Sequence, residues 1–332
     1  MKGQRAQKVV HGGTAIRAMK ETGAPVLDFS ASINPYPPQL DLQFLPGDFS
    51  HYPDDTYSDL KAMIARTMGR SPDEVCVGNG SIEVLRTFCL AMLSPGDRVA
   101  VTLPTFGEYE MSASLAGASL SGTGDVKVRF LCNPNNPTGH LLPRNHVCNL
   151  LEECEREGSI LFLDEAFIEI SDDPSQSLAP LRHPSLFVLR SLTKSFAIPG
   201  IRFGYGIGHP EIVRELEAFR PPWNVNTLAE KAAMEAFSRY DELEVSRRQI
   251  RQEREWLVQA LSNLPVVIEP SRVNFLLVHT ERDVTGLCRK LLSKGILVRD
   301  CHSFGLPKAI RVAVRKREEN ERLVDALWAC MH

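Results

Sequence analysis

Between residues 75 and 207 short apolar runs alternate with stretches of helical period, and most of these runs end in a polar or glycine-bearing turn. The runs at 75–77, 98–103, 126–132, 159–163 and 186–189 read as strands, and 202–207 as a further one. The stretches at 57–68, 82–93, 143–157 and 210–219, with a shorter one ending near Ala116, read as helices. Strands alternating with helices over short links predict an α/β fold with a mainly parallel sheet. In such sheets ligand groups gather beyond the C-terminal ends of the strands. Gly80, Phe106, Asn136, Asp164 and Lys194 all fall there.

Each of these turns carries chemistry. Gly78-Asn79-Gly80-Ser81 feeds a helix directly, and free backbone N–H groups with the positive end of a helix dipole make an anion site; an ordinary serine cap reads the same way. Asn133-Pro134-Asn135-Asn136-Pro137-Thr138-Gly139 ends a strand in a special turn that suits a cis proline. Asp164 sits at the tip of an apolar strand, where a carboxylate needs a partner such as a protonated ring nitrogen, a helix N-terminus or a cation. Ser191, Lys194 and Arg202 follow the run at 186–189. A neutral lysine amine condenses with an aldehyde, and serine with arginine holds a phosphate, so the set suits pyridoxal phosphate on lysine. A solvated surface turn fits this window equally well.

The flanks are simpler. Residues 14–21 predict a short helix and 26–29 a short strand, followed by a proline-rich link over 35–46. Residues 227–261 read as one long charged helix with a solvated face. Beyond it strands are predicted at 273–278, 295–299 and 309–314, and helices at 284–292 and 318–328. Arg299 and Arg311 lie on or beside these strands, pointing into a cleft or into water. The chain of 332 residues is 43% hydrophobic and 24% charged, enough for a large core and usually two domains. A net charge of −3 leaves no basic footprint for nucleic acid. No apolar run reaches the roughly 20 residues of a membrane span, and the polar, basic start over 1–10 has no secretory core. The eight cysteines are scattered without a C-x-x-C pair, which suits free thiols in a reducing cytoplasm rather than a metal site.

Taken together, N-N-P-T-G at 135–139, D-E-A-F at 164–167 and the S-x-x-K at 191–194 with Arg202 resemble fold type I pyridoxal-phosphate enzymes of the class I/II aminotransferase family. The resemblance covers nearly the whole chain. It implies a large cofactor domain over 46–245, a small α+β domain built from 1–45 and 246–332, and a homodimer with shared active sites. Residue by residue, it implies that Lys194 carries the cofactor as a Schiff base and that Asp164 pairs with the ring N–H⁺. Asn136 would bond the ring oxygen O3′, and Phe106 would stack on the ring. Asn79, Gly80, Ser81, Ser191 and Arg202 would bind the phosphate, joined by Tyr52 of the other subunit. Arg311 would hold a substrate carboxylate and Arg299 a substrate phosphate, with Asn34 near the carboxylate and His11 near the phosphate.

Two relatives within the family compete. H-G-G at 11–13 with D-F-S-A-S-I-N-P at 28–35, P-W-N-V-N at 222–226, and Phe167 in place of a tyrosine resemble threonine-phosphate decarboxylases of cobalamin synthesis. Histidinol-phosphate aminotransferases are the alternative. Non-catalytic regulators that bind the same cofactor usually add a DNA-binding domain, for which the stretch before His11 leaves no room. One departure from the family stands out. Residues 117–125 are mostly small, where a further strand and helix are expected.

Overall fold

The computed structural model describes residues 8–121 and 125–331. The strands are β1 (Leu27–Asp28), β2 (Val75–Gly78), β3 (Arg98–Val101), β4 (Ser119–Leu120), β5 (Val128–Cys132), β6 (Ile160–Asp164) and β7 (Leu186–Arg190). They continue with β8 (Gly204–Gly208), β9 (Val267–Ile268), β10 (Phe275–His279), β11 (Ile296–Leu297), β12 (Arg299–Asp300) and β13 (Ala309–Ala313). The helices are α1 (Ala15–Thr22), α2 (Ser58–Met68), α3 (Ser81–Met92), α4 (Glu108–Leu115), α5 (Arg144–Arg156) and α6 (Leu192–Ser195). After them come α7 (Pro210–Phe219), α8 (Thr227–Ser238), α9 (Leu243–Leu261), α10 (Thr285–Ser293) and α11 (Arg317–Met331).

Seven strands form the main sheet in the order β2-β8-β7-β6-β5-β3-β4. All its neighbours run parallel except β8, which is antiparallel to both β2 and β7. The predicted α/β class is what the structure has. Strand alternation puts Leu161, Leu163 and Val188 into one core with α2, α5 and α8. It puts Phe162, Phe187 and Phe130 into the opposite core with α3, α4 and α7. The glycines of β8 make room for that second core: a Cβ on Gly206 would lie 2.2 Å from Phe187 Cζ.

A four-stranded antiparallel sheet, β12-β13-β10-β9, packs on α9, α10 and α11 around Phe29, Leu276, Ile310 and Leu323. Here the predicted strand 295–299 divides: β11 pairs with β1 while β12 pairs with β13, so one apolar run serves two sheets. The predicted helix 227–261 also divides, at a short 3₁₀ turn over Tyr240–Glu242. No glycine or proline marks that break; Tyr240 leaves the helical path so that its hydroxyl reaches Glu169. Residue 245 consequently falls inside α9 rather than between elements.

The short region after α4 keeps the expected strand as two residues of β4, paired in parallel with β3. No helix follows it among the described residues, and 122–124 lie outside them. The link from Leu120 to Val128 has to pass β3 to reach β5, and it is shorter than the dozen or so residues that a parallel crossover with its own helix takes. Among the described residues, no helix is long and apolar enough to cross a membrane.

Candidate active site

Lys194 sits on α6, a single turn that continues from the end of β7. Burial, with the positive charges of Arg311 and Arg202 nearby, pulls its amine down to about 8; Asp164 pulls the other way. Its Nζ lies 5.9 Å from the centroid of the Phe167 ring. Asp164 closes β6 with its carboxyl buried. Tyr109 donates from its hydroxyl to Oδ2 at 2.6 Å, and the Ala166 N–H donates to Oδ1 at 2.9 Å. Burial raises the Asp164 carboxyl above its usual range, against those two hydrogen bonds and the Lys194 charge. Phe106 stands edge-on to Tyr109 at 5.6 Å between ring centroids.

The glycine turn predicted at the start of α3 is present, with the Gly80 N–H donating to the Gly78 carbonyl at 2.8 Å. Gly80 caps the helix at φ 85, and a Cβ there would lie 2.6 Å from Arg202 Nη2. Only glycine allows both the positive φ and the close arginine. Arg202 itself is held at φ 61, which L side chains rarely adopt, and its Nη1 donates to the Pro199 carbonyl at 3.1 Å. Strain of this kind, of order 1–3 kcal/mol, persists where the surroundings over-determine the backbone. Ser191 is buried with its Oγ 2.8 Å from Thr193 Oγ1. Asn79 offers less than expected, because its side chain is exposed and its N–H donates to Glu83 Oε2 at 2.6 Å.

The opposite wall comes from the small sheet. Arg299 and Arg311 face each other in register across β12 and β13, each only 6% exposed. Arg311 donates to Asn136 Oδ1 and to the Ser30 carbonyl, and its guanidinium lies 5.1 Å from the Phe275 ring centroid. Its Nε has no hydrogen-bond partner among the described residues. Burial takes the Arg311 guanidinium down to about 10, and Arg299 adds to the fall. Arg299 donates to the carbonyls of Asp300 and Val10, at 2.7 and 2.8 Å, and to Ser303 Oγ. Among the described residues neither arginine pairs with a carboxylate. Like charges directly opposite in a sheet are destabilising unless an anion lies between them. The Asn133–Pro134 and Asn136–Pro137 peptides are both cis, as the turn predicts for at least one, and the turn delivers Asn136 to Arg311.

Three further candidate residues are placed as follows. Asn34 is committed to the backbone of the lysine turn: its N–H donates to the Lys194 carbonyl at 3.0 Å, its Nδ2 to the Ser195 carbonyl at 2.7 Å, and its Oδ1 accepts from the Tyr36 N–H. It clamps the turn rather than presenting its amide to the Arg311 side. His11 bonds Glu108 Oε1 at 2.8 Å and lies 5.8 Å from Phe106 between ring centroids, so its Nε2 is engaged by a carboxylate. Tyr52 is 78% exposed and stacks on Trp223, pointing out of this subunit.

Tyr109, Ser30 and Glu169 are absent from the sequence reading. Tyr109 had a readable signal, since its spacing of three from Phe106 places Phe106 just before α4 and Tyr109 in its first turn. Ser30 contributes a carbonyl, which leaves no trace in residue type. Among the described residues no group of three or more His, Cys, Asp or Glu could hold a metal ion.

The residues fit pyridoxal phosphate. A lysine of lowered basicity, a buried strand-tip carboxylate and a glycine cradle under an arginine meet at the C-terminal edge of one sheet. A family model described as aminotransferase class I and II matches residues 41–122 and 121–327. The chain is 33% identical over 298 residues to a histidinol-phosphate aminotransferase of Symbiobacterium thermophilum, covering 84% of this chain and 82% of that one. It is 35% identical over 306 residues to a protein of Caldanaerobacter subterraneus subsp. tengcongensis that carries the provisional name threonine-phosphate decarboxylase, covering 84% and 83%. The structure of histidinol-phosphate aminotransferase from Sinorhizobium meliloti in complex with pyridoxal-5'-phosphate superposes with a TM-score of 0.87 at 21% identity. That match covers 100% of this chain and 98% of that one, and it shows the fold, the expected fold type I architecture. The chain belongs to the class I and II aminotransferase family.

Proposed function

We propose that this protein is a pyridoxal-phosphate enzyme that removes CO₂ from O-phospho-L-threonine, giving (R)-1-aminopropan-2-ol O-phosphate, a reaction of cobalamin synthesis. The observation that carries the reading is the facing pair Arg299 and Arg311, buried with no carboxylate partner among the described residues. Two such cations suit a short substrate with two anionic groups. A carboxylate matches the planar fork of Arg311, and a phosphate matches Arg299 with the Ser303 hydroxyl beside it.

Pyridoxal phosphate, when bound, supplies an electron sink for the bond that breaks at the substrate α-carbon. Lys194 would hold it covalently, Asp164 would face its ring nitrogen, and Asn136 its ring oxygen. Gly80, Ser81, Ser191 and Arg202 would hold its phosphate, with Asn79 contributing from the exposed side. Phe106 would cover the ring. Phe167 keeps the neighbourhood of Lys194 apolar where a tyrosine would place a hydroxyl. Contacts from both Arg311 and Arg299 set the rotation of the substrate about its α-carbon, and the bond that breaks follows from that rotation. Nζ of Lys194 would then return a proton to the α-carbon.

The homodimer is part of the same proposal. Tyr52 and Trp223 form an exposed aromatic pair, and a second copy would receive Tyr52 at its phosphate cradle. All eight cysteines are free, which supports a cytoplasmic setting.

Transamination of histidinol phosphate is a second reading, favoured by the relative from Symbiobacterium and by the fact that two facing arginines also suit a dicarboxylate amino acceptor. The two readings separate in one experiment. Purified protein loaded with pyridoxal phosphate receives O-phospho-L-threonine without any keto acid, and CO₂ is measured. A parallel sample receives histidinol phosphate with 2-oxoglutarate, and glutamate is measured. CO₂ from the first, lost in Lys194→Ala, is the expected result. Glutamate from the second with no CO₂ from the first overturns it.

A further inference from the structure

The turn that carries Lys194 is only four residues long, Leu192–Ser195, and one helical turn does not hold itself together. Just beyond it Ala197 lies at φ 55, a conformation that costs a non-glycine residue of order 1–3 kcal/mol and needs support from its surroundings. The support comes from two sides. Asn34 holds the carbonyls of Lys194 and Ser195 from above. From below, the Ser195 hydroxyl donates to Glu169 Oε2 at 2.5 Å, with Ser195 fully buried.

Glu169 is itself anchored. Its Oε1 accepts from the hydroxyls of Tyr205 and Tyr240, at 3.1 and 3.2 Å, and from Arg190 Nη1 at 3.3 Å. Arg190 also bonds Glu165 through Nε at 2.9 Å and Ser177 through Nη2 at 2.7 Å. The two buried carboxylates exceed the one guanidinium, so the network leans on hydroxyl donors, and Ser195 is one of them. Apolar side chains of similar volume would stabilise the fold as well or better. What the network adds is a fixed point for Ser195, drawn from β7, β8 and the break between α8 and α9.

We infer that Glu169, acting through the Ser195 hydroxyl, is a positioning residue that sets where Lys194 presents its amine. The inference rests on the reading of Lys194 as the residue that takes the cofactor. Glu169 is buried with its carboxylate on Ser195, Tyr205, Tyr240 and Arg190, so its effect on the lysine runs through Ser195. It acts on the direction of the lysine, so its loss slows attack on the aldehyde without weakening the phosphate cradle.

The test uses the full chain freed of cofactor and then given pyridoxal phosphate. The rate at which the cofactor becomes fixable to Lys194 by borohydride is followed by mass spectrometry, alongside thermal stability and, on the loaded enzyme, kcat and KM. Ser195→Ala is expected to slow capture roughly tenfold to a hundredfold and to lower kcat by a similar factor, with KM within about twofold. Glu169→Gln should slow capture in the same direction, and Ser195→Cys, which keeps a weak donor, should fall between wild type and Ser195→Ala. Ser246→Ala is the control. That serine is equally buried and donates to the Tyr36 carbonyl at 2.6 Å, so its loss lowers stability with capture unchanged. Capture by Ser195→Ala at the wild-type rate, or a loss in Ser246→Ala that matches it at equal stability, overturns the inference. Failure of the wild type to fix any cofactor on Lys194 overturns the reading of the lysine instead.

Discussion

Arg190 and Arg311 are buried to nearly the same extent, 3% and 6% exposed, and the protein treats them in opposite ways. Arg190, at the end of β7, meets Glu165 at 2.9 Å and Glu169 at 3.3 Å. Arg311, on β13, meets an amide oxygen, a carbonyl and an aromatic ring. The guanidinium of Arg190 is held well above its usual range although burial opposes it, because Glu165 and Glu169 face it together with Tyr205 and Tyr240. Burial carries that of Arg311 down. Glu165 and Glu169 compensate the first charge, whereas among the described residues no carboxylate pairs with the second, which is why we propose a ligand there. Position in the fold explains the difference: Arg190 ends β7 of the main sheet beside Glu165 and Glu169, whereas Arg311 lies on β13 of the small sheet opposite Arg299. A buried cation without a counter-ion is costly. Its presence opposite Arg299 is the ground for proposing that a substrate's anionic groups bind here.

Breaking the first arrangement should have the largest effect on the fold. Arg190→Met leaves two buried carboxylates without their cation, and removing one partner of a buried pair costs about 3–5 kcal/mol. Urea denaturation of the apoprotein checks this. Arg311→Met is the counterpart. It removes an uncompensated charge, so the apoprotein should be as stable as wild type or more so, while KM for a carboxylate substrate rises roughly tenfold to a hundredfold, in keeping with the 1.5–3 kcal/mol of a charge-assisted hydrogen bond. An apoprotein destabilised as much by Arg311→Met as by Arg190→Met would erase the distinction.

Lys194 is a third case, a cation with a partial counter-ion. It is charged below about 8 and neutral above it. Capture of an aldehyde needs the neutral amine, so the rate should climb about tenfold per pH unit up to about 8 and then level off. Arg311 is the second-largest cause of the lowering, after burial. Arg311→Met should therefore move the midpoint of capture upward, toward the ordinary lysine value. Stopped-flow capture of pyridoxal phosphate across pH 6–10 reads both. A midpoint that stays put in Arg311→Met would leave burial and Arg202 as the causes.

Much of this was legible in the residues, and the parts that were not share a reason. The sheet, the cradle at Gly80 and the positions of Asp164, Asn136 and Lys194 follow from apolar runs ending in unusual turns, a local pattern. The division of 295–299 between two sheets does not, because Leu27, the partner of Ile296, lies near the other end of the chain and draws β11 away from the neighbouring β12–β13 pairing. The break at Tyr240 is decided by a hydroxyl reaching a carboxylate 71 residues earlier. The family resemblance implies ligand contacts for Asn34 and His11, whereas the structure shows the Asn34 amide on the Ser195 carbonyl and the Tyr36 N–H, and His11 Nε2 on Glu108. Residue type tells that a group can hydrogen-bond; only the fold tells what it finds.

The smallest effect is expected where one hydroxyl serves one carboxylate. Tyr109 is the side-chain donor to Asp164, and that hydrogen bond favours the ionised carboxyl against the burial that raises it. Tyr109→Phe removes it, so the Asp164 carboxyl should rise further and be protonated at higher pH. A ring nitrogen needs the ionised form as its partner, so the acid limb of the pH–kcat profile should move to higher pH. The lost hydrogen bond is worth about 1.5 kcal/mol, or about one pH unit. Tyr205→Phe is the matched experiment on the other side. Glu169 keeps Ser195, Tyr240 and Arg190 when that hydroxyl goes, so the limb should stay where it is and only stability should fall, by roughly 1 kcal/mol. A shared donor set spreads its losses, whereas a sole side-chain donor transmits them to the chemistry. A limb that moved in Tyr205→Phe and not in Tyr109→Phe would mean that the network under the lysine governs the reaction's ionisation, and that Asp164 is held ionised by something other than Tyr109.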